Sequence, residues 1–135
     1  MALIERTLVE HLRGVSALTA LVGTKIYPGT IPQGTELPAI SFMPSGGGAT
    51  YSLNGDSGYE MRQYRFSIYT DKYQVDSMLS IADALQTALS GYRGSMGSTY
   101  VTVIQRIMLN STRDFFEPDS EAHQRILEFD IDYCA

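Results

Sequence analysis

The sequence predicts an α+β domain in which a mixed, mostly antiparallel β-sheet carries helices on one face. Three observations lead there. Some stretches repeat apolar residues at the 3.6-residue period of a helix, and others alternate them or enrich β-branched residues as strands do. Along the chain the order is helices, strands, long loop, strand, helix, strand, loop, strand. The 135 residues fit one domain, 1–135, because a chain of that size buries roughly two-thirds of its unfolded surface and halves would be too small to stand alone.

Ile4, Leu8, Leu12 and Val15 recur at helical spacing, with Glu5, Arg6, Glu10 and Arg13 falling elsewhere. Gly14 can end this helix, Ser16 can cap a short second turn over SALTALVG, and Gly23 closes it, so 2–22 reads as a helical N-terminal region. Lys25 to Tyr27 is a brief strand. PAISFMP, 38–44, is a better one, because Ile40 and Phe42 alternate with Ala39, Ser41 and Met43. Between the two strands, Pro28, Pro32 and Pro38 each fix φ and remove a donor. The connection therefore reads as a stiff strap across one domain, not as a linker.

GGGATYSLNGDSG, 46–58, has the opposite character. Its glycines are unrestricted and Asn54-Gly55 and Asp56 favour tight turns, which predicts a long mobile loop or an extended hairpin tip. Tyr64, Phe66 and Ile68 then alternate with Gln63, Arg65, Ser67 and Tyr69 in a strand over 59–70. Asp71 and Gln74 form a capping pair for a helix over about 73–90. Its apolar face is Val75, Met78, Leu79, Ala82, Leu85 and Leu89, with Gly91 as the stop.

Residues 98–111 are rich in β-branched side chains, with Val101, Val103 and Ile107 opposite Ile104 and Met108, a pattern expected of a central strand covered at least in part on both sides. TRDFFEPDSEAH follows as a second mobile loop, about 112–122. The last strand, RILEFDIDY, points Leu127, Phe129, Ile131 and Tyr133 inward and Glu128, Asp130 and Asp132 outward.

Composition narrows the function classes. A hydrophobic fraction of 44% and a charged fraction of 19% are those of an ordinary globular protein. The net charge of −5, with acids gathered towards the C-terminus, disfavours tight sequence-independent binding of nucleic acid. No apolar run approaches the ~20 residues of a membrane helix, and the N-terminus lacks a signal-peptide core. The single cysteine, Cys134, cannot form an internal disulfide, which fits a reducing compartment.

Residues with catalytic or metal-binding chemistry are sparse. His11 and His123 share no metal-ligand spacing, and Cys134 supplies no second ligand motif. No G-x-S-x-G elbow occurs, and Gly46–Gly48 lacks the lysine and the strand-loop-helix setting of a phosphate cradle. The expectation is no enzyme, no cofactor and no metal. Glu128, Asp130 and Asp132 read first as a solvated strand face. Phe115 and Phe116, adjacent in a turn-rich loop, cannot easily share one core. Core packing of one and partner contact by the other are left as equal alternatives, and Tyr51 and Leu53 raise the same question.

Taken together, KIYPGTIPQGTELPAISF, then YSLNGDSGYEMRQYRFSIYT, a helix ending IADALQTAL, and RDFFEPDSEAHQRILEFDIDY resemble the tail completion, or tail terminator, family of long-tailed bacteriophages and prophages. The likeness runs in order across nearly the whole chain. It implies a structural subunit that assembles, typically as a ring of six, on the head-proximal end of the tail tube, halts tube growth and meets the head connector. Implied partners are other copies of the chain, the tail tube protein and the connector or neck protein. DNA would pass through without specific binding, and no membrane is involved. The implied location is the tail–neck junction of the virion, after assembly in the bacterial cytoplasm.

On that resemblance the two loops are expected to touch ring neighbours, tube or connector through Tyr51, Leu53, Asn54, Asp56, Arg113, Asp114, Phe115, Phe116 and Glu117. Glu128, Asp130 and Asp132 would line the lumen and repel phosphates. The alternatives are another neck or tail-assembly component, or a small cytoplasmic ligand-binding module.

Overall fold

In the computed structural model, residues 3–52, 55–71, 74–118 and 122–134 are described. Three helices, α1 (Leu3–Arg13), α2 (Ser16–Val22) and α3 (Val75–Leu89), pack against a six-stranded sheet. Its strands are β1 (Ile26–Pro28), β2 (Ala39–Ser52), β3 (Gly55–Thr70), β4 (Gly94–Met96), β5 (Thr102–Glu117) and β6 (Ala122–Cys134). The spatial order is β1-β2-β3-β6-β5-β4, with β1 parallel to β2 and every other pairing antiparallel. The fold is thus the mixed, mostly antiparallel α+β arrangement expected from the sequence.

One face of the sheet is apolar and covered by the helices. Alternation sends Tyr64, Phe66 and Ile68 from β3, and Leu127, Phe129, Ile131 and Tyr133 from β6, to that face. There they meet Ile4, Leu8 and Leu12 of α1, Leu18 and Val22 of α2, and Ile81, Leu85 and Leu89 of α3. Phe42, Phe66 and Phe129 form a run of ring contacts through its middle, with centroids 5.0 and 5.6 Å apart.

Residues 29–38 are the strap anticipated from their prolines, and they are tied down at several points. Gly29 N–H donates to Phe42 O (2.7 Å), Lys25 Nζ to Glu36 O (3.0 Å) and Gln74 Nε2 to Leu37 O (3.2 Å). Pro44 lies in β2 beyond the three-residue pairing with β1, where β2 has become an edge strand and a missing donor costs nothing.

Four sequence expectations are corrected. Residues 112–122 are not an open loop, since β5 and β6 stay paired out to Glu117 and Ala122; for 46–58 the mobile-loop alternative falls and the extended hairpin holds, with β2 and β3 paired out to Ser52 and Gly55. Cross-strand bonding satisfies the backbone that local turn chemistry left open. Gly46 to Gly48 are accordingly paired strand residues and not a cradle.

The third correction concerns β5, which is not a central strand covered on both sides. Register shifts around Gln105 and Asn110 put Ile104 and Ile107, three apart, on the core face together and leave Val103 and Met108 exposed. Fourth, Leu79 of α3 faces outward and Ile81 takes its place in the core, because the buried arc of the helix runs through Met78, Ile81, Ala82, Leu85 and Leu89. The Asp71–Gln74 pair expected ahead of α3 is present, with Asp71 N–H donating to Gln74 Oε1 (3.1 Å).

Candidate functional site

The two hairpins leave the sheet at opposite ends. Tyr59 of β3 pairs with Cys134, the last residue of β6, so the β2–β3 hairpin continues past the sheet at that end. At the other end, Thr70 pairs with His123, and the β5–β6 tip lies beyond it. Tyr51 and Asp56 are paired across the first hairpin. Leu53 and Asn54, and the side chains of Tyr51, Asp56 and Glu117, lie outside the described part of the structure.

The β5–β6 tip presents side chains on both faces. Phe115 pairs in register with Gln124 and Phe116 with His123, so the two rings point to opposite sides of the ribbon. Both are about half exposed, 50% and 48%, which removes the alternative in which one packs into the core. The Phe116 ring centroid lies 4.8 Å from that of His123. The hairpin is braced by Arg125, whose Nε and Nη2 donate to the two Asp114 carboxylate oxygens (2.7 and 3.2 Å). Arg113 donates to Glu128 Oε1 at 2.6 Å.

Glu128, Asp130 and Asp132 lie on the sheet face away from the helices, as alternation requires. They do not form a bare acidic wall. Glu128 is buried between Arg65 of β3 (3.5 Å) and Arg113 of β5 (2.6 Å), Asp132 pairs with Arg106 (2.8 Å), and Asp130 accepts from Asn110 (3.3 Å). Three arginines thus balance three carboxylates across β3, β6 and β5. Between these pairs stand the exposed apolar side chains Met43, Met61, Val103 and Met108. A cleft of about 490 Å³ opens on the same face, between the strap and β2, β3 and β6.

Two carboxylates of α1 escaped the sequence pattern. Glu5, assigned to the polar side, is buried with 9% exposure, and its Oε1 accepts from Tyr64 Oη at 3.0 Å. Burial first, and the adjoining Glu5 carboxylate second, push the Tyr64 phenol well above its ordinary range, so it stays protonated and donating. Glu10 accepts from the backbone N–H groups of Ser98, Thr99 and Tyr100. These donors, Ser98 foremost, hold its carboxyl below the usual carboxylate range. Both are fastenings of the fold, joining α1 to β3 and to the segment before β5. No local periodicity signals either one.

The groups examined for chemistry sit apart. His11 contacts Ala88 O (3.2 Å) and the edge of Tyr92, binding α1 to α3, whereas His123 lies at the β5–β6 tip. Cys134 ends β6 and accepts from Gln105 Nε2 at 3.3 Å. Among the described residues no group of three or more His, Cys, Asp or Glu is placed to hold a metal ion, and no helix is long and apolar enough to cross a membrane. What the surface offers instead is projecting hairpins and a charge-balanced face carrying methionines.

Comparison with known proteins gives the family. The family model for tail completion protein gp17 matches residues 6–133. The chain belongs to the tail completion protein gp17 family. It is therefore a structural protein of a phage tail. Among solved structures, a chain of "Virion of native gene transfer agent (GTA) particle" matches this tail completion chain with a TM-score of 0.76 at 19% identity, covering 99% of this chain and 92% of that one. At that identity the likeness establishes a common fold. No curated protein matches the sequence.

Proposed function

We propose that the chain caps the head-proximal end of the tail tube, stops its polymerisation and joins the tail to the head connector, acting as a ring of copies. The observation that carries this reading is membership of the tail completion family over residues 6–133. The ring number of six is taken from the family resemblance. Other copies of the chain, the tail tube protein and the connector are the partners, and the tail–neck junction of the virion, reached after assembly in the host cytoplasm, is the place.

The geometry supports such a role. A rigid sheet with a hairpin at each end can touch one neighbour at either end while its core stays intact. Arg113, Asp114, Phe115 and Phe116 are the contact residues of one end, and Tyr51, Leu53, Asn54, Asp56 and Glu117 complete the set from the two hairpins. If the face bearing Glu128, Asp130 and Asp132 lines the lumen, its arginine pairing makes it nearly neutral. DNA would then meet a wall of nearly balanced charge, and not one that strongly repels it.

The test is electron microscopy of lysates from the encoding phage or prophage carrying an early stop codon in this gene, with the intact gene restored in trans. Overlong tubes and separate heads, cured by restoration, are expected. Normal infectious particles without the protein would overturn the proposal.

A further inference from the structure

We infer that the outer edge of β2 in one copy pairs with the outer edge of β5 in the next, so that the sheets of neighbouring copies join into one. This rests on the ring reading above and specifies its contact.

Both edges are left open by short covering strands. β1 pairs with β2 only as far as Phe42, where the Gly29 N–H donates to Phe42 O (2.7 Å). β4 pairs with β5 only as far as Ile104, and the Gly91 N–H then donates to Ile107 O (2.9 Å). Among the described residues nothing pairs with the outer side of β2 from Met43 to Ser52, or with that of β5 from Met108 to Glu117. The two open stretches are equal in length.

An open edge is a row of unused N–H and C=O groups, which proteins usually shorten, charge or cover. Residues 46–52, GGGATYS, carry no charge, and glycines within a strand mark places where another backbone comes close. Past the Tyr59–Cys134 pair, β2 and β3 run on as a two-stranded ribbon to Ser52 and Gly55. Two strands by themselves are marginal in water, and a third strand steadies them.

Strand direction fits the join. β2, β3, β6 and β5 alternate, so β2 and β5 run in opposite senses. Carrying a copy around an axis roughly along the strands keeps those senses, and β2 meets the next β5 antiparallel, like every other long pairing in the sheet. The two edges are different surfaces, so the contact is heterologous and repeats until it closes.

The open stretches lie towards opposite ends of the sheet, which fixes the geometry of closure. Gly46 stands level with Met108 of its own copy, through Gln63 and Asp130. Pairing 46–52 with 108–114 instead sets Gly46 against Asp114 of the next copy and Ser52 against Met108, a displacement of roughly six residues or about 20 Å along the strands. Four long strands span about 19 Å across the sheet. A level ring accommodates these two steps with strands tilted about 45° to its axis, and closed sheets tilt theirs by roughly 35–45°. In this register β1 stands in line with the incoming β5, and the next copy's β4 with the incoming β2. Both block the same sliding motion and so set the register. Pro44, which has no donor, falls outside the paired stretch.

Cross-linking in assembled particles tests the seam. The chain with Cys134→Ser, Gly48→Cys and Thr112→Cys is supplied in trans to the stop-codon phage, and purified particles are treated with a short thiol-to-thiol cross-linker. The expected result is a shift of most of the monomer band into a ladder of multimers of this chain alone, missing when either new cysteine is omitted. Should Gly48→Cys block incorporation, Ser52→Cys with Met108→Cys replaces the pair and the same ladder is expected. Dimers from the chain carrying Gly48→Cys alone would mean that two β2 edges meet about a two-fold axis, and overturn the seam. Links only to the tube or connector protein overturn it too. Particles that contain several copies of the chain per tail yet give no ladder from either pair overturn the seam and leave the ring reading standing. Normal tails that lack the chain overturn the ring reading itself, and the seam with it.

Discussion

Strand β6 shows two solutions to the same problem, one on each face. On the helix side, Leu127, Phe129, Ile131 and Tyr133 are buried among residues from all three helices. On the other side, Glu128, Asp130 and Asp132 are held by Arg65, Arg113, Asn110 and Arg106 from the flanking strands. The first face is stabilised by removing apolar area from water, which salt does not screen. The second rests on partly exposed pairs that are weaker and are screened by salt. The core face therefore sets whether the chain folds, and the outer face contributes less to its stability.

Substitutions on the two sides should separate sharply. Phe129→Ala empties the middle of the ring run between Phe66 and β6, and should cost about 3–5 kcal/mol in urea unfolding. A loss below 1 kcal/mol would mean that the core is not organised around these rings. Glu128→Gln keeps a hydrogen-bond acceptor but removes the charge shared by Arg65 and Arg113, and should cost about 1 kcal/mol. That loss should shrink in high salt. A cost equal to that of Phe129→Ala would erase the distinction between the faces.

Replacing both Phe115 and Phe116 with Ala should change unfolding by less than about 0.5 kcal/mol, since neither ring is packed in the core. The same change should sharply reduce the fraction of tails joined to heads in the complementation assay. Unaltered joining would remove the tip from the contact set.

The smallest effect concerns pH. The Glu10 carboxyl titrates below its ordinary value in the folded chain, so its contribution is complete above the unfolded value of 4.5 and fades as pH falls through the lower folded one. Glu10→Gln should flatten the acid side of the curve of melting temperature against pH and leave its neutral region with a uniform, small decrease. An unchanged acid limb would mean that the Ser98–Tyr100 amides do not hold this carboxylate in solution.

How much of this was legible follows from the range of the forces. The helices over 3–13 and 75–89 and the alternation of β3 and β6 show in the sequence because their periods are local and are imposed by which face meets the core. The strap was legible through its prolines, whose effect on φ needs no partner. That Phe115 and Phe116 cannot both enter the core is legible because two large adjacent rings conflict with a single core.

Other features are settled only by residues distant in sequence. Residues 112–117 continue β5 because β6 completes their backbone bonds, and no local signal counts that partner. The β5 bulges at Gln105 and Asn110 move its apolar residues between faces, which reverses a reading based on strict alternation. Glu5 is buried because Tyr64, 59 residues away, supplies a donor. The outward acids of β6 look like an acidic wall until β3 and β5 bring arginines alongside. The sequence by itself determined the three helices, the alternating strands β3 and β6, the stiff strap and the adjacent aromatics, since each follows from short-range periodicity or backbone restriction. Only the tertiary structure decided strand order, hairpin reach and the neutral outer face, since each depends on which distant segments the core brings together.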